Sequence, residues 1–202
     1  VSAELAARLG SATLHEAAGR VGALPHAIKP VADTWTLAGP AFPVFTPPGN
    51  NVFIHDALYA APRGSVLVVA TGLHGHDPEW GYWGEILSHA AMVAGLAGIV
   101  LDGGARDATR LREQGFPVFS RGLSILGTGK DRAGGILGEP VTIGTVKVSA
   151  GDLVVGDIDG VVVIAASQAA AVLDDGVRRE DKEATIMRRL TAGERSVDIY
   201  GF

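Results

Sequence analysis

Apolar positions along this chain fall into unbroken runs and helically spaced ones. Residues 66–70 (Val-Leu-Val-Val-Ala) and 99–101 (Ile-Val-Leu) are continuous and rich in β-branched side chains. That is the pattern of strands buried on both faces, and Val118-Phe119 predicts a third, shorter one. From residue 85 to 96 the apolar positions are 86, 87, 90, 91, 93 and 94, the spacing of one helix face. Ser2 before residues 3–9 and Ser11 before 12–18, with Gly10 and Gly19 as stops, predict N-terminal helices within 2–19. Residues 51–61 predict a short helix ended by Pro62 and Gly64, and 107–114 another closed by Gly115. Prolines at 25, 30, 40, 43, 47 and 48 exclude long helices there and leave loop and short strand.

Residues 71–83 read as a loop rich in glycine, histidine and aromatics, and Asp102-Gly103-Gly104 predicts a sharp turn. Further on, 141–148 and 153–164 predict strands, with a hairpin at 157–160. Ser167 is the expected N-cap of a last helix, 167–190, whose second half is densely charged. This order predicts a single α/β domain in which central strand–helix units share a core with a separate β-meander.

Composition narrows the chemistry. A chain of 202 residues can bury a sizeable core without staples. It has no cysteine, which excludes a disulfide scaffold, thiolate-bound zinc, an iron–sulfur cluster and a cysteine nucleophile. Its 28 glycines are about twice the usual ~7% and follow no fixed period, so tight turns or close backbone approaches are expected. The net charge is −5 and no long Lys/Arg run occurs, so nucleic acid is not an expected partner. No apolar run reaches the ~18 residues of a membrane span, and the first ten residues lack a basic-then-apolar leader. A soluble cytoplasmic protein is the expectation.

Two groups carry candidate chemistry. Gly84-Glu85-Ile86-Leu87 sits at a predicted helix start, where free amides and the helix dipole attract anions. Twenty residues separate Glu85 from Arg106, in Asp102-Gly103-Gly104-Ala105-Arg106-Asp107 at the end of a buried strand. Ligands of open α/β sheets gather at such strand ends. Carboxylates without His or Cys suit a hard divalent ion, and Arg106 suits a carboxylate or an enolate oxygen. The plainer reading is that Glu85 caps its helix and Arg106 pairs with a turn carboxylate.

Glu85, twenty residues, then Arg106-Asp107 resembles the acid-x20-Arg-Asp signature of the RraA-like family. That family includes class II 4-hydroxy-4-methyl-2-oxoglutarate/4-carboxy-4-hydroxy-2-oxoadipate aldolases and the regulator of ribonuclease activity A. Ala12-Thr13-Leu14-His15-Glu16-Ala17, Ala38-Gly39-Pro40-Ala41-Phe42, Gly115-Phe116-Pro117-Val118-Phe119 and Gly151-Asp152-Leu153-Val154-Val155 match further landmarks in order, as does Asp159-Gly160-Val161. The resemblance implies a single swivelling β/β/α domain of the phosphohistidine-domain type. It implies homotrimers or dimers of trimers, with helices 2–19 and 167–190 packing on neighbouring subunits. It also implies Mg²⁺ or Mn²⁺, cleavage of a 4-hydroxy-2-oxo acid to pyruvate, and oxaloacetate decarboxylation as a side activity.

Residue by residue, the resemblance makes Asp107 a direct metal ligand and Glu85 an acid that ligates through water. It makes Arg106 the contact of the keto or enolate oxygen, and Gly84 with the amides of Ile86 and Leu87 the cradle of the pyruvate carboxylate. Glu16 would come from a neighbouring subunit. So would Glu183, through water, with Glu180 as second choice. Two departures stand out: Glu85 replaces the Asp of the best-known aldolases, and Arg110 stands where the family tends to have an acid.

Other candidates carry less. His74 and His76 could reach one ion but have no evident third ligand, and their aromatic surroundings predict a packed loop or lid. Lys147, between valines, could form a Schiff base but reads as a residue of a solvated strand face. Gly127-Thr128-Gly129-Lys130 lacks the spacing of a phosphate loop, though Lys130 could help bind an anion. No G-x-S-x-G occurs, against a serine hydrolase, and no glycine-rich loop follows the first strand, against a methyltransferase. The competing class is a binding module that regulates a ribonuclease by protein contact.

Overall fold

The structure, a computed structural model, describes residues 2–72 and 79–202. In chain order the elements are α1 (Ala3–Ala17), β1 (Lys29–Pro30), β2 (Leu37–Phe45), α2 (Val52–Ala60), β3 (Val66–Ala70), β4 (Gly81–Trp83), α3 (Glu85–Ala94), β5 (Gly98–Ala105) and α4 (Ala108–Gln114). Then follow β6 (Val118–Leu123), β7 (Ile136–Leu137), β8 (Val141–Ile143), β9 (Val146–Val148), β10 (Leu153–Asp157), β11 (Gly160–Ile164), α5 (Ala169–Thr191) and α6 (Ser196–Tyr200).

One nine-stranded sheet organises the molecule, in the order β1-β6-β5-β3-β2-β10-β11, with β4 beside β5 and β7 beside β2. Strands β2, β3, β5 and β6 run parallel, while β10 pairs antiparallel with β2 and β11 antiparallel with β10. The segment before β1 ties the far edge back. Ala23 bridges Val162, the Leu24 amide donates to the Val161 carbonyl (2.9 Å), and Lys29 Nζ donates to the Asp159 carbonyl (2.5 Å). Because β1 pairs with β6 at the other edge, the sheet is nearly closed into a barrel.

Alternation along the strands divides the core. Val66, Val68, Val100, Phe119, Val154 and Val163 fill the inner cluster. Leu67, Val69, Ile99 and Leu101 turn the other way and pack on Ile54, Leu58, Leu87, Ala91 and Leu111 of α2, α3 and α4. Leu153, Val155, Val162 and Ile164 bury against Leu9 and Leu14 of α1 and Val172 and Leu173 of α5. With both faces covered, the strands show continuous apolar runs rather than alternation.

Several expectations need correction. The β-meander is not separate: β10 pairs with residues 37–40 of β2, and among the described residues only β8 and β9 form a second sheet. The prolines conceal a nine-residue β2, because its first half pairs with β10 and its second half with β3. Apart from Val44 and Phe45, which also pair with β7, each half has one free side, where a missing N–H is tolerated. Asp102-Gly103-Gly104 is not a turn but the continuation of β5. A Cβ on Gly103 would lie 2.9 Å from the Tyr82 ring, so this glycine permits close packing of β4 on β5. Residues 81–83, read as loop, form β4.

Gly10 (φ 79°, ψ 165°) is non-helical and breaks α1 into two helical pieces, as expected, and Ser2 accepts the Leu5 N–H as expected of an N-cap. The Ser11 side chain leaves its own helix: its amide and hydroxyl both donate to the Asp157 carboxylate, each at 2.6 Å. Ser167 does not cap α5; Gln168 holds that position without a side-chain cap bond. Asp152 anchors the approach instead, accepting the amides of Ser149 (2.8 Å) and Ala166 (3.0 Å). No helix among the described residues is long and apolar enough to cross a membrane.

Candidate functional site

Strand β4 runs directly into α3, and β5 lies beside it. The Arg106 amide donates to the Trp83 carbonyl (2.8 Å), which fixes the end of β5 against the start of α3. Trp83 is itself locked. It is fully buried, stacks on Phe116 and donates from Nε1 to Ser88 Oγ (2.6 Å). One residue beyond Arg106 the chain reverses at Asp107, which takes a left-handed conformation (φ 62°, ψ 34°). Aspartate tolerates this region better than most residues, and such backbone tends to be kept where a site requires it. The Asp107 carboxylate does not cap its own helix; it accepts the Glu85 amide at the start of α3 (3.1 Å). Gly84 makes this approach possible, since a Cβ there would lie 2.4 Å from Asp107 Oδ2.

A pocket of about 200 Å³ opens at this junction. Gly84, Ile86, Leu87, Arg106 and Asp107 line it. Arg106 Nε lies 3.9 Å from Asp107 Oδ2, a loose contact between two half-exposed groups. Lys130, raised above as a possible anion contact, also lines the pocket, and three further lining residues were not foreseen: Asn51, His55 and Tyr82. Lys130 Nζ donates to Asn51 Oδ1 (2.6 Å), and Asn51 Nδ2 donates to the Tyr82 carbonyl (2.8 Å). Asn51 occupies the N-cap of α2 but makes no side-chain cap bond.

The electrostatics favour an anion. Arg106, Lys130 and the amide end of α3 oppose one carboxylate, Asp107. Burial, and then the neighbouring Lys130 charge, hold the His55 imidazole below its ordinary pKa, while burial raises the Tyr82 phenol. At neutral pH the pocket thus contains a neutral imidazole and a protonated phenol.

The remaining predicted residues fall elsewhere. Glu85 is the first residue of α3, but its side chain is exposed and is not part of the pocket lining. Asp102 is buried and paired with Arg121, so the third carboxylate of the motif is already engaged. Arg110 pairs with Glu113 on the surface of α4 (2.9 Å). Glu16 on α1 and Glu183 on α5 lie outside their own chain's pocket and share one cation: Arg179 lies 2.8 Å from Glu183 and 3.7 Å from Glu16. Glu180 pairs with Arg8 (2.7 Å). Among the described residues no three His, Cys, Asp or Glu side chains cluster as a metal site. His74 and His76 lie outside the described residues, and Lys147 is exposed on β9 as expected.

The nearly closed sheet and the pocket at the β5–α3 junction define an α/β protein of the RraA fold. The chain belongs to the RraA-like family (Aldolase/RraA), whose profile matches residues 8–163. A Halalkalibacterium halodurans protein named "Putative 4-hydroxy-4-methyl-2-oxoglutarate aldolase" is 32% identical over 178 residues, covering 88% of this chain and 82% of its own. The solved structure of Streptomyces coelicolor RraAS2, described as an unusual member of the RNase ES inhibitor RraA protein family, is 30% identical. It superposes with a TM-score of 0.77 over 93% of this chain and 96% of its own. The RNA-processing inhibitor RraA from Thermus thermophilis shares the fold at 24% identity, with a TM-score of 0.67 over 76% of this chain and 90% of its own.

Proposed function

We propose that this protein is a lyase that cleaves a 4-hydroxy-2-oxo acid to pyruvate and a second carbonyl compound, with oxaloacetate decarboxylation as a side activity. The observation that carries this reading is the convergence of Arg106, Asp107 and the first amides of α3 on one small pocket. The names of its relatives point the same way.

The donor chemistry fits a hard divalent ion, Mg²⁺ or Mn²⁺: Asp107 presents carboxylate oxygen in a pocket without soft ligands. Asp107 would hold the ion directly, and Glu85 and a neighbouring subunit's Glu183 would do so through water. Once bound, the ion supplies a Lewis acid and electron sink for the 2-oxo acid. The amides of Ile86 and Leu87 hold the substrate carboxylate at the positive end of α3. Arg106 faces the keto oxygen. When the C4 hydroxyl gives its proton to a pocket water and becomes the second carbonyl, the C3–C4 bond breaks and its electron pair passes to the pyruvate enolate. Arg106 stabilises the charge on that oxygen. A water oriented by Glu85 returns a proton to C3 and completes pyruvate.

The working site is shared between subunits of a homotrimer or dimer of trimers, with Glu16 and Glu183 reaching a neighbour's pocket. Support comes from their common Arg179 contact and from exposed apolar side chains near the pocket. Ile86 is 80% exposed and Ile125 94%, with Leu123 and Leu126 beside it. Pyruvate release should require Mg²⁺ or Mn²⁺ and vanish with EDTA. Release that ignores the chelator, or survives Asp107→Ala, overturns the reading.

The likeness to RraAS2 favours a second reading, a protein-binding regulator of a ribonuclease, because fold alone does not decide function. A stoichiometric ribonuclease captured from native lysate, together with no pyruvate release, would select it.

A further inference from the structure

A second pocket, of about 330 Å³, lies between β1, β6 and α4 and shares no lining residue with the first. It falls at the small end of the ~300–1,000 Å³ range of ligand sites. Two guanidinium groups line it. The Arg121 side chain is only 9% exposed, and its contact with the buried Asp102 is made through Nε alone. Its two terminal amino groups have no hydrogen-bond partner among the described residues, yet they are not sealed in. The one buried side-chain polar atom lacking a partner among those residues is Gln114 Oε1. Arg112, exposed on α4, stands across the opening: its Nε donates to the Val31 carbonyl (3.0 Å), and its terminal pair is unengaged among those residues and open to solvent. Lys29 adds a third positive charge, with Asp33 as the opposing carboxylate in the lining.

A buried guanidinium whose outer nitrogens lack partners is unfavourable unless water or a ligand meets them. The unengaged edge of each arginine is the planar fork that matches a carboxylate with two parallel hydrogen bonds. We propose that this pocket is a second ligand site, taking a small dicarboxylate with one carboxylate on the Arg121 fork and the other on Arg112. The inference does not depend on the lyase reading, because none of these residues takes part in it.

Calorimetric titration of the full chain with succinate tests it, since succinate lacks the 2-oxo group read by the first pocket. Saturable binding is expected that persists in Arg106→Ala, weakens about tenfold or more in Arg112→Met, and exceeds that of acetate. Arg121→Lys, checked by thermal melting, should abolish it; if that variant does not fold, Arg112→Met decides. The proposal is overturned by absence of saturable binding, by binding lost in Arg106→Ala but unchanged in Arg112→Met, or by acetate binding as tightly as succinate. It is also overturned if succinate fails to bind and Arg112→Met changes the oligomeric mass, which would mean that a second copy fills the pocket.

Discussion

Gly84→Ala tests the proposed site through a single methyl group. The new Cβ would stand 2.4 Å from Asp107 Oδ2 and 3.2 Å from Arg106 Cγ, whereas ordinary contact begins near 3.4 Å. The carboxylate must therefore retreat by about 1 Å, which breaks its bond with the Glu85 amide. The backbone itself does not resist, because Gly84 is extended (φ −156°, ψ −166°) and alanine adopts that conformation freely. The obstructing atom ends a half-exposed side chain that can swing away. Stability should thus fall by only ~1–2 kcal/mol, roughly 2–8 °C in Tm. A 1 Å misplacement of a reacting group can reduce the rate ~10²-fold, and that loss is expected in kcat/KM for pyruvate release, followed by coupling to lactate dehydrogenase. Gly127→Ala is the control, since its Cβ would meet only Arg106 Nη1, at 4.0 Å. If Gly84→Ala stays within threefold of the unmodified protein, Asp107 is not held where the reaction needs it and the argument fails.

Other outcomes follow from the same structure. Arg106→Ala should lower kcat ~10²–10³-fold by removing the group facing the developing oxyanion, with little change in Tm because the side chain is half exposed; an unchanged kcat would refute its role. Asp102→Asn leaves Arg121 buried without its counter-charge and should cost about 3–5 kcal/mol, seen as a Tm lower by roughly 6–20 °C; a shift below that range would show that the pair is dispensable. His55 is held below its ordinary pKa, so the unfolded chain protonates it first on acidification. Its stabilising contribution is complete above about pH 6.5 and is lost as pH falls toward the folded value. Urea midpoints between about pH 7.5 and 5.5 should therefore drop less in His55→Gln than in the unmodified protein, and equal drops would remove His55 as the source.

Local chemistry made much of this protein legible from its residues alone. The helical spacing after Glu85, the unbroken run Val66–Ala70, the cap at Ser2 and the hairpin before Gly160 all follow from neighbours in sequence, and each formed where expected. The motif residues Gly84, Ile86, Leu87, Arg106 and Asp107 were legible for the same reason: a helix start and a strand end are local signals that α/β geometry brings together. Absence of cysteine likewise restricted the chemistry before any fold was known. Only the tertiary structure decided what depends on distant partners. Gly103 could not be told from a turn glycine until Tyr82 was seen packing on it, nor could Asp102 be separated from Asp107 until Arg121 engaged it. Asn51 and Lys130 are 79 positions apart, and no local signal links them. Short-range conformational preference is written into adjacent residues, whereas burial, charge pairing and pocket membership arise only when the sheet brings remote segments within hydrogen-bonding distance.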